Sequence, residues 1–413
     1  MLTGTGRSAL ALGAGAYVAG WVFGTAPLYP VGVGLVLVVA VAWLWARLLA
    51  RPVRLERLVP EERPVDGDDV PIRVRLELDG TVQPAVVELR DRFGALGEEA
   101  IDLRRDEGAL GGTYVLKDVR RGRYRAELAR VAIEDPLGLV RREVPLEAPG
   151  GLLVYPRVVE LDGLFSDGGQ RVGDGRRMQL RRQSGYDLHS VREHERGESL
   201  RRVHWPSTAR RGKLMVKELE DAPRDESVVV LDGDAGTVAG EGRDTSFELC
   251  VRAAGSVARV HSGRGRRVGL LVNDADRSYQ PVTSLDGDWT LALELLAGAE
   301  PNGRRPVVSL LAEGAGVASQ ATDLVVVTAG LNARLADRLL QRASSRRGTA
   351  LVFVDPTSFG AGAGTGPAVD ARAQLLRLER AGVPVAVLRH GDDLARSLGA
   401  LAARPEAREA VGA

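Results

Sequence analysis

The chain carries a single cysteine, Cys250, and only three lysines, Lys117, Lys213 and Lys217, in 413 residues. One thiol excludes an intrachain disulfide, leaves no thiolate cluster for zinc, and is compatible with a reducing compartment. With so little lysine, arginine is the default cation, and with the abundant Ala, Gly and Val this is the composition of a GC-rich bacterium. An Arg at a given position is therefore no sign of bidentate recognition by itself. Net charge is also nearly absent, at +1, so neither nucleic acid nor acidic lipid is attracted globally and any basic site is local. A mean hydropathy of −0.08 with 44% hydrophobic residues excludes both a disordered chain and a polytopic membrane protein. The length suffices for two or three domains, and the 50 glycines promise many turns.

Charge is missing altogether from residues 8–46, where only the turn-like TAPLYP at 25–30 interrupts an apolar run. That run is about twice the ~20 residues needed to cross a bilayer core, so two helices are expected, near 8–24 and from 27 or 31 to 50. Trp43 and Trp45 suit interfacial anchors. Ala16, Gly20 and Gly24 form a small-residue ridge for close helix contact, unless they merely reflect composition. Arg7 precedes the first helix, Arg47, Arg51, Arg54 and Arg57 follow the second, and the turn has no basic residue, so both termini are expected in the cytoplasm. A rival is a signal peptide cleaved after Gly24-Thr25-Ala26; Pro27 opposes it, and the large C-terminal body would still face the cytoplasm.

Residues 54–154 read as short strands, at 70–78, 85–89, 112–116, 122–130 and 139–146, separated by turn signals such as Asp79-Gly80 and Asp135-Pro136. No amphipathic helix intervenes, which argues for a small β-sandwich. DPLGL, residues 135–139, is a tight turn by composition, with a contact loop as its functional alternative.

From Ser227 strands alternate with helices, the pattern of a mostly parallel sheet covered on both faces. Strands are expected at 227–232, 267–272, 323–328, 349–354 and 383–388, and helices at 245–261, 288–296, 332–343, 371–380 and 392–401. The Gly-rich 358–367 lacks the Lys-Ser or Lys-Thr of a phosphate loop. Ligands of such sheets gather at the carboxyl ends of the strands, which directs attention to Asp232-Gly233-Asp234-Ala235-Gly236. This stretch partly resembles the metal-ion-dependent adhesion site of von Willebrand factor A domains. Asp232 matches, Asp234 and Gly236 replace two hydroxyl residues, and Thr328-Ala329-Gly330 stands where Thr-Asp-Gly is expected. Octahedral Mg²⁺ would lack at least two side chains, so a loop-capping role for Asp232 and Asp234 is the simpler expectation, with no cofactor.

Residues 184–220 hold the densest run of Arg, His, Glu and Trp, after a Gly-, Asp- and Arg-rich loop at 165–182. Arg192, Arg196, Arg201, Arg202, Arg210 and Arg211 could ring an anionic site, Trp205 offers a large aromatic surface, and 213–220 has the alternation of an edge strand feeding the α/β sheet. The order Arg192-Glu193-His194, Gly197-Glu198, Arg201, Val203, His204-Trp205, Thr208-Ala209-Arg210 resembles the hallmark of the bacterial domain-of-unknown-function family 58. The family's pattern has Tyr, Asp and Ser where His194, Glu198 and Thr208 stand. The hairpin, DPLGL and Val154-Tyr155-Pro156 are similar as well. This resemblance implies a β-sandwich followed by an A-domain-like fold, often encoded beside MoxR-type AAA+ ATPases, and no established reaction.

The expectation is thus an α+β multidomain protein: a transmembrane helical hairpin (1–52), a β-sandwich (53–156), an Arg-rich linker with the family motif (157–223), and a doubly wound, von Willebrand factor A-like or Rossmann-like α/β domain (224–413). Arg192, Gly197, Glu198, Arg201, His204, Trp205, Thr208 and Arg210 are the candidate binding motif. They serve either as a clamp through Arg–carboxylate pairs to Glu193, Glu198 or Glu218, or as a docking surface. Ser184, His189, His194 and His204 crowd into one basic stretch with no nucleophile elbow, so no catalytic set is assigned. The expected role is a non-enzymatic adaptor in the cell membrane that binds a MoxR-type AAA+ ATPase, with no nucleic-acid partner. The alternative is a metal-assisted or phosphate-handling hydrolase using Asp232 and Asp234.

Overall fold

The computed structural model describes residues 1–48, 51–60, 63–79, 86–106, 109–126, 128–167, 188–193, 205–219, 226–242, 244–283, 287–312, 316–345, 347–360 and 368–399. The chain divides into two compact units, Met1–Tyr155 and Pro156–Ala413, and is of mixed α/β class.

The first unit opens with two antiparallel helices, α1 (Gly4–Phe23) and α2 (Leu28–Leu48). Thr3 caps α1 by accepting the Gly6 N–H at 3.0 Å, and Gly24, at φ +66°, ends it. The buried residues of α1 are Gly6, Gly13 and Gly20, seven apart, so the seam recurs every second turn. A Cβ on Gly13 would lie 3.0 Å from the Gly32 carbonyl oxygen, and one on Gly32 would lie 2.7 Å from that of Gly13. Close packing of helices through small residues is therefore present. Its register corrects the expected Ala16, Gly20, Gly24 ridge: only Gly20 belongs to it, and Gly24 is the cap. Among the described residues one helix, Leu28–Arg47, with mean hydropathy 2.1, is long and apolar enough to cross a membrane. The Gly- and Ala-rich α1 does not reach that mark.

The ten described strands of this unit make up two four-stranded antiparallel sheets and a two-stranded ribbon, which close on one core. The first sheet has the order β1 (Arg51–Leu58), β2 (Val70–Asp79), β6 (Ala109–Leu116), β5 (Arg104–Asp106). The second has β4 (Glu98–Asp102), β3 (Val86–Arg92), β8 (Ala129–Glu134), β9 (Arg141–Leu146), and β7 (Gly122–Arg125) pairs with β10 (Gly151–Val154) as the ribbon. Alternation places Ile72, Val74 and Leu76 of one sheet against Val87, Leu89, Val131 and Ile133 of the other. The expected strand at 122–130 is divided into β7 and β8.

Asp91 continues the inward series of Val87 and Leu89 and is buried. Arg57 meets it with two guanidinium nitrogens, Nε to Oδ2 at 2.8 Å and Nη2 to Oδ1 at 2.6 Å, and the Tyr114 hydroxyl donates to Oδ2 at 2.7 Å. Arg57, one of the basic residues after α2 from which the orientation of the hairpin was read, is thus part of the core. Tyr114 has its pKa raised, by burial and by the Asp91 carboxylate it bonds.

DPLGL joins β8 to β9 and packs on the helices. Asp135 folds the turn by accepting the Leu137 N–H at 2.9 Å, while Leu139 and Val140 are buried with Val39, Ala42 and Ala46 of α2. The Thr3 hydroxyl donates to the Gly138 carbonyl at 2.6 Å, and a Cβ on Gly6 would collide with the Leu139 carbonyl at 2.1 Å. Arg142 caps the far end of α2 through the carbonyls of Ala46 and Arg47, at 3.3 and 3.1 Å. The segment is both a turn and a contact loop.

The second unit is built on a six-stranded sheet in the order β17 (Tyr279–Val282), β16 (Arg267–Asn273), β13 (Glu226–Asp232), β18 (Asp323–Thr328), β19 (Gly348–Val354), β20 (Val385–Leu388). All neighbours are parallel except the antiparallel edge pair β16–β17, and the short strands β14 (Gly240–Glu241) and β15 (Asp244–Thr245) pair with each other outside this sheet. Val229 and Leu231 of β13 face a core closed by α4 (Ser246–Gly263), α5 (Asp288–Gly298) and α10 (Leu394–Leu398). Val228 and Val230 face another, closed by α6 (Val308–Ala312), α7 (Val317–Gln320), α8 (Ala333–Ser344) and α9 (Ala368–Arg380). Burial on both faces explains the unbroken apolar runs of these strands.

Two expectations are corrected here. Residues 213–220 do not supply the edge of this sheet: β12 (Met215–Leu219) pairs antiparallel with β11 (Leu188–Glu193) in a separate ribbon, and β17 holds the edge instead. Phe165, placed by composition in an exposed loop, is buried with Leu164 against α4.

Candidate functional site

A cleft of about 860 Å³ opens at the carboxyl ends of β13, β18, β19 and β20. In this strand order the chain builds outward from β13 in one direction and from β18 in the other, and crevices form where the order reverses. Asp232 and Asp234 border the cleft, Leu331, Leu335, Phe353, Leu375 and Leu376 give it an apolar lining, and Asp355, Arg372, Glu379 and Arg389 add charge.

Asp232 ends β13 and is buried, and its two carboxylate oxygens accept three internal hydrogen bonds. Oδ2 takes the Thr328 hydroxyl at 2.6 Å; Oδ1 takes the Asn273 amide and the Asp234 N–H, each at 3.1 Å. Burial pushes the carboxyl above its ordinary range, and these three donors oppose that rise. The Thr328 hydroxyl in turn accepts the Gly330 N–H at 2.8 Å. Asp234 acts one step outward: its Oδ1 accepts the Gly236 N–H at 2.9 Å and its carbonyl accepts the Thr237 hydroxyl at 2.9 Å, so it caps the short turn Ala235–Thr237. Gly330 is required by packing, since a Cβ there would sit 2.2 Å from the Thr237 methyl. The group is a hydrogen-bonded brace across three strand ends. Among the described residues no cluster of three His, Cys, Asp or Glu side chains is arranged to hold a metal ion.

Sequence reasoning singled out Asp232 and Asp234 and missed Asn273 as their partner. The signal was available: Asn273 ends RVGLLVN as Asp232 ends SVVVLD, and neighbouring parallel strands in register bring their last residues together. Asp355 was missed likewise; it caps the turn Pro356–Phe359 by accepting the Thr357 N–H at 3.0 Å.

The central motif is a second, separate locality. Gly197, Glu198, Arg201 and His204 lie outside the described residues, as do Ser184 and His194. Arg192 stands on β11 opposite Val216 of β12, and Trp205 opens the short helix α3 (Trp205–Arg211). Arg210 on that helix is exposed. Thr208 accepts the Met215 N–H at 3.0 Å, tying α3 to the start of β12, and Met215 is buried. A Ser at position 208 would supply the same acceptor.

These features define a protein of mixed α/β class whose second unit carries a strand-end cleft beside a braced carboxylate. Residues 190–359 match the sequence model of a family described as "Protein of unknown function DUF58", which bears out the resemblance carried by residues 192–210. The chain is 25% identical over 220 residues to the "Uncharacterized protein YeaD" of Bacillus subtilis, a match covering 53% of each, so it spans about half the length of that curated relative. Two solved structures align over parts of the chain. A conjugative transposon lipoprotein from Bacteroides eggerthii has 16% identity and a TM-score of 0.15, covering 24% of this chain and 93% of its own. Cwp6 from Clostridium difficile has 9% identity and a TM-score of 0.19, covering 83% and 46%. At those scores neither likeness bears on fold or function.

Proposed function

We propose that this is a membrane-anchored, non-enzymatic adaptor. The α1–α2 hairpin is the anchor, with both of its ends on the cytoplasmic side, and the von Willebrand factor A-like second unit offers its strand-end cleft to a MoxR-type AAA+ ATPase. The observation that carries this reading is the contrast inside the cleft. Its buried carboxylate is occupied by three neutral internal donors, while the lining beside it is apolar with a charged margin. A carboxylate so engaged is a poor metal ligand or general base, whereas an apolar centre bordered by charge suits a protein partner. The parallel sheet with one antiparallel edge supports the A-like assignment. Leu376, on α9 and half exposed, is the natural contact to alter.

The test is affinity purification of the full chain from detergent-solubilised membranes, with and without nucleotide, with captured proteins identified by mass spectrometry. Wild type is expected to retain an AAA+ ATPase, and Leu376→Asp to lose it at an unchanged melting temperature. Absence of any AAA+ protein under both conditions would sink the proposal.

A further inference from the structure

The DPLGL loop meets the helices well below the level at which α2 ends. Leu139 and Val140 share a buried cluster with Val39, Ala42 and Ala46, while Arg142 reaches the carbonyls of Ala46 and Arg47. At 1.5 Å per residue, Val39 lies about 12 Å along the axis from Arg47. From Leu139 to Arg142 an extended chain covers about 10 Å, so the strand runs beside the last two turns of α2 with its loop end directed along the apolar helix. The same end is fixed to α1, through Thr3 on Gly138 and the contact of Gly6 with the Leu139 carbonyl. Next to Gly138, at the tip of this turn, Leu137 is 63% exposed.

An exposed leucine on a tight turn costs little in water and needs no explanation alone. Here the neighbours of the turn are the helices themselves, and Val38, Val41 and Leu44 of α2 are exposed. Leu137 stands two residues before the Leu139 that packs on this hairpin, exposed beside an apolar helical surface. We propose that DPLGL is a third point of membrane contact, with Leu137 inserted at the boundary between lipid headgroups and acyl chains. This inference rests on the hairpin being the membrane anchor. The partner is the lipid surface, and the function is to seat the sheets of the first unit against the bilayer at a fixed depth.

The test uses the full chain in lipid nanodiscs, with an environment-sensitive fluorophore on one introduced thiol. Cys250 is fully buried and its thiol is held well above its ordinary pKa by that burial, so unmodified protein serves as the unlabelled blank. Three sites are compared: Leu137→Cys, Val38→Cys on the exposed side of α2, and Leu128→Cys, which is exposed at the opposite end of β8, about 20 Å from the loop. Expected is quenching of the Val38 label by a nitroxide deep on the acyl chain, of the Leu137 label by a nitroxide near the headgroup, and of the Leu128 label by aqueous iodide alone. If Leu137 follows Leu128 while Val38 is quenched from the lipid, the loop is in water and the inference fails with the anchor intact. If Val38 also escapes lipid quenching, the hairpin reading fails and the loop inference falls with it.

Discussion

Each unit buries a carboxylate at a strand position, Asp91 in the first and Asp232 in the second, and the two are satisfied by different chemistry. Asp91 faces the inside of a closed pair of sheets, where the Arg57 guanidinium supplies a full opposite charge and Tyr114 a hydroxyl. Asp232 stands at the end of a strand beside a cleft and receives only neutral donors, from Thr328, Asn273 and a backbone N–H. A buried ion must be compensated or it titrates. The interior site meets its carboxylate with a guanidinium of opposite charge, while the strand-end site, given neutral donors alone, has a carboxyl pushed upward by burial. The first arrangement joins strands inside the core by an ion pair; the second braces three strand ends through a carboxyl whose pKa burial raises.

The contrast can be broken at its charged end first. Arg57→Ala leaves Asp91 buried without its cation and is expected to destabilise the first unit by about 3–5 kcal/mol, read by denaturant unfolding. Arg57→Met together with Asp91→Leu should recover most of that loss; failure to recover would assign Arg57 a role beyond the pair.

The next effect is one of pH. His261 on α4 is buried, and desolvation, with Arg266 and Arg264 nearby, lowers its pKa from 6.5 to about 4 against the opposing influence of Asp167. The unfolded chain protonates first, so stability is complete above 6.5 and falls as the pH drops toward 4. The ceiling on that loss is about 3 kcal/mol, and His261→Leu should flatten the profile. Asp232 runs the other way. Its raised pKa makes its contribution complete at low pH and lost as the pH rises through its folded value.

Asp232→Ala orphans three donors that water from the cleft can partly reach, so about 2 kcal/mol is expected. Millimolar Mg²⁺ should shift wild type and variant equally. A metal-dependent rise in melting temperature confined to wild type would instead favour the hydrolase. The smallest effect is at Thr208→Val, about 1 kcal/mol, visible as faster hydrogen exchange of the Met215 amide with the α/β sheet unaffected.

The same contrast explains what the sequence discloses. Strands buried on both faces, such as Val228–Val229–Val230, announce themselves as apolar runs, and five of the six main-sheet strands were legible in that way. The sixth, YQPV at Tyr279–Val282, buries only Val282 and contains a proline, so its edge position leaves almost no pattern. The ribbon strand Met215–Leu219 was visible as a strand, yet alternation says nothing about which neighbour it pairs with. Asp91 was legible in principle, because an acid at an inward position of Val87, Leu89, Asp91 demands a buried partner. The helix seam was not, since Gly and Ala are spread all round α1 and only the partner helix selects Gly6, Gly13 and Gly20. Of the central motif, the hydroxyl at Thr208 had a discoverable purpose only once its distance to Met215 was known.

The lock between Thr3 and Leu139 joins residues 136 positions apart. At ordinary translation rates of roughly 5–20 residues per second, the loop leaves the ribosome on the order of ten seconds after the helices. During that interval the two helices have only each other, and the Gly13–Gly32 approach is what holds them in register until their fastening is synthesised. A bulky residue at either glycine would therefore act before folding of the sheets begins, as a fault of biogenesis, and its first signature would be a low yield of folded chain.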